Sequence, residues 1–299
     1  MFEINDIYDL LLLLVDNTKY FLFEPTMSTT TGLARIMIAI ANIILLMEYR
    51  DRTDRYLSTA SVATFPKVHI KYVDLLVWDR WNNCNANSFI IFGILCSISF
   101  MVGFCSNICA LLLYIVSLST YSRNYLIENA GHCQMRAMLL LMIFSRCGDA
   151  LSLDTIIQNK NFIGSMGEPW CDRFMQVFIA LMYYKTITYK MISGPSWWKG
   201  EVLSYALNSL EFGKYSQHFT FPRWLCIMGS YYTIATQNAL VYLIWFKEFR
   251  YYVLINSMLH HAMMLMLMKL GAFPIVAISC LSVFVPSDDL AKFLSRFIQ

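Results

Sequence analysis

Residues 174–192 read FMQVFIALMYYKTITYKMI. Apolar and aromatic side chains dominate this run, and it approaches the about 20 residues that a helix needs to cross a bilayer. Three of its polar groups, Gln176, Tyr183 and Lys190, recur every seven residues. Seven residues make almost two helical turns, so the drift is only about 20° per step and the three line one stripe. Lys185 points well away from it. Gln, Tyr and Lys on one face of an apolar helix read as a polar seam turned inward. The plainer reading of Lys190 is that it snorkels to an interface near Gly194 and Pro195.

The same apolar character repeats along the chain. Runs occur at 31–48, 88–105, 106–120, 134–145, 224–246, 252–268 and 270–285. Over the 299 residues, 58% are apolar and only 14% charged. An average soluble domain carries about 45–50% and about 25%. A core of this size cannot hide that much apolar surface, whereas a bilayer can. The runs are continuous rather than alternating, which excludes barrel strands. The expected fold is an all-α integral membrane protein, a polytopic bundle of about seven to eight transmembrane helices.

The expected organisation is one transmembrane domain at 30–287, preceded by an interfacial segment at 1–29 and followed by a tail at 288–299. The stretch 9–23 is apolar but interrupted by Asp16 and Lys19, as in a helix lying at the interface. The acidic first nine residues do not resemble a cleaved signal peptide. A net charge of +3 with scattered basic residues gives no nucleic-acid signature. Of nine Cys, Cys84, Cys147 and Cys171 fall in loops where a disulfide can form. No CxxC pair supports zinc or redox chemistry. The 49–87 loop is rich in Lys and Arg, which favours the cytoplasmic side.

Charged groups in apolar runs cost about 2.5–3.5 kcal/mol at a bilayer centre and usually face a bundle interior. The polar or charged groups in such runs are Arg35, Arg136, Gln176, Lys185, Lys190, Gln237, Asn238, Asn256, His260, His261 and Lys269. Arg35 shares a face with Asn42, and each arginine wants an anion, a lipid phosphate or carbonyl oxygens. Of the adjacent histidines, about 100° apart on a helix, only one faces a given cavity. Packing is the ordinary role of such a histidine. No HxxxH or HxxE spacing accompanies them, so no metal is expected. There is no P-loop, GxSxG, HExxH or GxGxxG.

Several short motifs occur in a fixed order. They are Gly32-Leu33-Ala34-Arg35-Ile36; Arg123-Asn124 with Asn129-Ala130-Gly131-His132; Arg136; and Ser152-Leu153-Asp154. Gln176, Tyr183, Lys190, Trp197 and Gly200 follow, then Tyr205-Ala206-Leu207, Thr233 with Gln237, and His261 with Gly271. From about Gly32 to Pro286 this order resembles the HTTM family, the membrane domain related to vitamin-K-dependent γ-carboxylase. Residues 29–39 look most like its sporulation-delaying-protein B branch, which resembles a maturation factor for a small secreted toxin peptide.

The resemblance implies a multi-pass protein of a bacterial cell membrane with a lysine base in a membrane cavity. Lys190 and His261 would be catalytic. Gln176, Tyr183, Arg35, Arg136 and Gln237 would bind substrate. A quinone or hydroquinone is the implied cofactor. The implied partners are membrane lipids, a small secreted peptide and a small soluble protein. Three departures limit the carry-over. Ala130-Gly131-His132 stands where the family has Gly-Gly-Asp, Thr186-Ile187 where it has Ala-Gly, and Gln237 where it has Glu. The large extracytoplasmic domain of the vitamin-K carboxylase has no counterpart, so glutamate γ-carboxylation is not expected. Two other functions fit the same sequence: an immunity or export partner of such a peptide, and a scaffold that recruits a soluble protein through the 49–87 loop.

Overall fold

The computed structural model describes residues 4–51, 53, 57, 83–124, 127–192 and 194–297, with side chains from residue 13 onward except at 83–85 and 123. The long helices are α1 (Ile4–Phe23), α2 (Thr29–Arg50), α3 (Asn83–Val102), α4 (Ser106–Arg123) and α5 (Ala130–Phe144), followed by α7 (Trp170–Ile192), α10 (Arg223–Tyr242) and α11 (Lys247–Leu267). Shorter ones are α6 (Leu153–Ile157), α8 (Pro195–Trp198), α9 (Glu201–Asn208), α12 (Phe273–Leu281) and α13 (Ser287–Leu294). The only strands among the described residues are β1 (Thr26–Met27) and β2 (Met166–Gly167), an antiparallel pair. Trp78, Trp81 and most of the 49–87 loop lie outside the described residues, as does the Cys84 side chain. Cys147 and Cys171 are both free thiols.

Each apolar run of the sequence is a helix, and the termini follow from local chemistry. Asn129 accepts from Gly131 N at 2.8 Å while His132 Nδ1 accepts from Asn129 N at 3.0 Å, a reciprocal cap that starts α5. The Asp154 carboxylate accepts from Cys105 N at 2.9 Å and Ser106 N at 3.1 Å, capping α4 from across a loop. Ser152 caps α6 by accepting from Thr155 N at 3.0 Å.

The helices form a closed ring of neighbours: α2–α3–α4–α5–α7–α10–α11–α12, with α12 returning onto α2 and α5. Pro274, Val276, Ala277, Ser279, Cys280 and Leu281 are all buried on α12, so it is the axis of the bundle.

The outward faces are apolar. On α11 the exposed positions include Tyr252, Ile255, Leu259, Met263 and Met266, while Ser257, His260 and His261 are buried. On α3 the exposed stripe is Ile91, Leu95, Ile98 and Val102, and Ser97 is buried.

By length and apolarity α2 is long enough to cross a membrane alone. α12 with residues 282–284 joins α13 through a 92° bend, and the two qualify together as a broken span. The apolar parts of α3, α4 and α5 cover Ala86–Val102, Ser106–Ser122 and Ala130–Phe144, each short of the about 20 residues a crossing needs. α7 has the length but carries Asp172, Arg173, Lys185 and Lys190. The expected helices are therefore present, while seven or eight crossings do not follow from length and apolarity.

Candidate functional site

The stripe on α7 faces inward and meets a different element at each step. Gln176 Nε2 donates to Val283 O at 2.7 Å. Tyr183 Oη and His261 Nε2, on α11, lie 2.6 Å apart. Lys190 Nζ donates to Gln237 Oε1 on α10 at 2.8 Å and sits 4.5 Å over the Trp197 ring. Steps of seven residues separate these contacts by about 10 Å each, so the seam holds three separate polar contacts rather than one cluster.

Trp197 is placed by a tight elbow. Gly200, at φ +70°, starts α9 where a Cβ would stand 2.6 Å from Ile227 N of α10. Trp198 packs on Tyr231 with ring centroids 5.5 Å apart. This close approach brings residues 195–208 down onto α10 and lays Trp197 over the lysine.

Around the histidines a second network joins α10 to α11. Tyr232 Oη donates to Asn256 Oδ1 at 3.0 Å, and Asn256 Nδ2 donates to Thr236 Oγ1 at 2.9 Å. The His260 and His261 rings are 5.3 Å apart. His260 Nε2 and His261 Nδ1 are buried and have no partner among the described residues. An apolar cavity of about 260 Å³ opens beside this pair, lined by Leu207, Leu225, Tyr232, Thr233, His260 and Met264 among others. Neither Lys190 nor His261 lines it. His260 lines this cavity, whereas His261 turns toward Tyr183.

The two arginines are placed elsewhere. Arg35 is fully buried and donates to the carbonyls of Cys147 at 2.5 Å, Ala150 at 3.1 Å and Leu151. It pins the 145–152 turn against α2. Gly32 makes that approach possible, since a Cβ there would stand 2.6 Å from Ala150 O. Arg136 pairs with Glu128 through both nitrogens of its fork, Nη2 reaching Oε2 at 2.6 Å, and lies 4.5 Å over the Tyr121 ring. Burial pushes the Glu128 carboxyl above its usual range despite that pairing. Burial also pushes the Cys147 thiol up to about 11, so it stays protonated. The structure does not bring either arginine to the Lys190–Gln237 contact.

Sequence reasoning did not single out Arg173 and Arg250. Both line two adjoining cavities of about 410 and 350 Å³ with Gln176 and Phe284. The available signal was spacing: Arg173 lies one turn before Gln176, and Arg250 lies in the first turn of α11.

No protein-family model, curated protein or solved structure matches the chain.

Proposed function

We propose that the chain is a multi-pass protein of a bacterial cell membrane, of the HTTM type, that modifies or processes a small secreted peptide with Lys190 as base. The observation that carries the reading is Lys190 itself, an amine held inside a helix bundle by a neutral amide and an indole face. No carboxylate lies within 4.0 Å of it among the described residues. A positioned amine with no acidic partner suits proton abstraction.

The membrane part is supported by α11 and α3, which expose apolar stripes while Ser257, His260, His261 and Ser97 are buried. Apolar patches of that extent on a soluble surface are rare. The missing length of several helices is compatible with partial insertion or with local thinning of the bilayer.

His260 supplies the substrate-facing group in this reading, because it lines the cavity and its buried Nε2 has no partner among the described residues. His261 and Tyr183 fix the pair from behind. A quinone or hydroquinone fits that cavity in chemical terms, with apolar walls for a ring and one histidine nitrogen for an oxygen. It supplies redox chemistry when bound.

The test is the intact mass of a small secreted peptide co-expressed with the chain. Wild type and Lys190→Ala are compared at matched membrane levels. A mass change or cleavage made only by wild type supports the reading, and an identical peptide from both rejects the lysine base.

A second reading, a non-enzymatic immunity or export partner, is favoured by one feature. Lys190 Nζ is already engaged by Gln237 and Trp197, which also describes a lysine that only ties α7 to α10. Such a protein keeps its protective activity after Lys190→Ala.

A further inference from the structure

Arg173 and Arg250 line a cavity of about 350 Å³ whose walls include the rings of Phe21, Trp245 and Phe284. No carboxylate lines it, and none lies within 4.0 Å of either guanidinium among the described residues. Both arginines are held in place. Arg173 Nη1 donates to Gln176 Oε1 at 3.1 Å and its guanidinium lies 5.0 Å over the Phe21 ring. Arg250 donates from Nε to Ile244 O at 3.2 Å and from Nη2 to Trp245 O at 3.3 Å. Arg173 Nε is buried with no acceptor. Two fixed forks with no carboxylate in contact make a receptor for a phosphate, which takes bidentate hydrogen bonds from such groups.

The adjoining cavity of about 410 Å³ shares Arg173, Gln176, Arg250 and Phe284, and adds Glu24, Asp172 and Asp288 beside Lys247. Asp172 Oδ2 accepts from Thr31 Oγ1 at 2.7 Å, while its Oδ1 is buried with no donor. The two cavities share these walls, which carry an orphan donor, Arg173 Nε, and an orphan acceptor, Asp172 Oδ1. A buried group in that condition costs free energy until a partner arrives. A ligand carrying a phosphate and, a few bonds away, an ammonium satisfies both.

We propose that this site binds a phosphoethanolamine headgroup, its phosphate between Arg173 and Arg250 and its ammonium on Asp172. The source is a membrane lipid. Phe21 belongs to α1, which packs on α7 and whose Leu13, Leu14, Val15, Tyr20 and Phe23 are exposed alongside Asp16 and Lys19, so the site opens beside a helix with free apolar side chains. Basic pockets between membrane helices commonly take lipid headgroups. The choice of a lipid rests on the membrane reading above, whereas the two-charge recognition does not.

The experiment measures the thermal unfolding of the delipidated full chain in mild detergent. Short-chain phosphatidylethanolamine, phosphatidylglycerol with the same chains, and water-soluble phosphoethanolamine are titrated separately. A ligand that binds only the folded state raises Tm with concentration. The expected result is a saturable rise with phosphatidylethanolamine. Phosphatidylglycerol, which lacks the amine, and Asp172→Asn or Arg173→Gln with phosphatidylethanolamine each need about tenfold more lipid, the loss of one charged hydrogen bond. Asp172→Asn keeps an acceptor for Thr31, and its unliganded Tm reports whether it folds. Equal shifts from the two lipids, or none from either, overturn the proposal for wild type without recourse to any variant. An equal shift from soluble phosphoethanolamine overturns the lipid source. A failed peptide-mass test with Lys190 leaves these arms intact, because Lys190 lies 14 residues, about 21 Å, from Gln176 along α7.

Discussion

Lys190 of α7 donates a 2.8 Å hydrogen bond to Gln237 of α10, and this contact ties together the two helices that flank the polar interior. Gln237 meets the amine with a neutral amide. The lysine is therefore held without being neutralised by an ion pair. A double-mutant cycle measures what the contact contributes. Lys190→Met and Gln237→Leu are each expected to lower thermal stability in detergent, with a coupling of about 0.5–2 kcal/mol between them. Strict additivity would show that the two side chains do not interact.

Tyr183 and His261 stand 2.6 Å apart in a buried site, and His261 Nδ1 already lacks a partner. Tyr183→Phe strands the second ring nitrogen as well. The expected loss is about 1–3 kcal/mol of unfolding free energy, the cost of an unsatisfied buried polar group. An unchanged Tm for Tyr183→Phe would mean that the contact contributes nothing.

Arg35 serves three carbonyls with one planar fork. An ammonium cannot reproduce that geometry, so Arg35→Lys is not conservative here. We expect it to destabilise the fold by about 2 kcal/mol, the loss of one or two charge-assisted hydrogen bonds. Fluorescence-detected size exclusion of the variant after mild heating checks this. Wild-type behaviour would show that the 145–152 turn holds its shape without the fork.

Gly200 combines a positive φ with a 2.6 Å approach to Ile227 N. Gly200→Ala strains the backbone and pushes the elbow away from α10. The expected cost is about 1–3 kcal/mol. Because Trp197 moves with the elbow, the variant is also expected to alter Trp fluorescence together with Lys190-dependent activity. A stable variant with an unchanged spectrum would separate the elbow from the lysine.

Much of the helical layout was legible in the sequence, because an apolar run of some 15 residues or more has few alternatives to a helix. The inward stripe of α7 was legible too, since a seven-residue spacing fixes a face whatever the tertiary context. Its partners were not legible. Val283, His261 and Gln237 lie 107, 78 and 47 residues away, and only packing decides which carbonyl or side chain meets each step. The choice between His260 and His261 was equally closed to sequence, because adjacent residues differ only in direction. Arg35 and Arg136 read as cations in want of an anion, a lipid phosphate or carbonyl oxygens; the structure gives Arg35 three backbone carbonyls and Arg136 the Glu128 carboxylate, a choice made by packing. The short helices α6, α8, α9 and α13 went unread, being shorter than the window in which periodicity speaks.

An intramembrane Lys190 requires that the outward apolar faces of α3 and α11 meet lipid. Alkaline carbonate extraction of cells expressing the full chain, followed by immunoblotting of pellet and supernatant, tests this most directly. Retention in the membrane pellet, with release only by detergent, is the predicted result. Release into the carbonate supernatant as a monodisperse protein would contradict it and remove the basis for an intramembrane lysine.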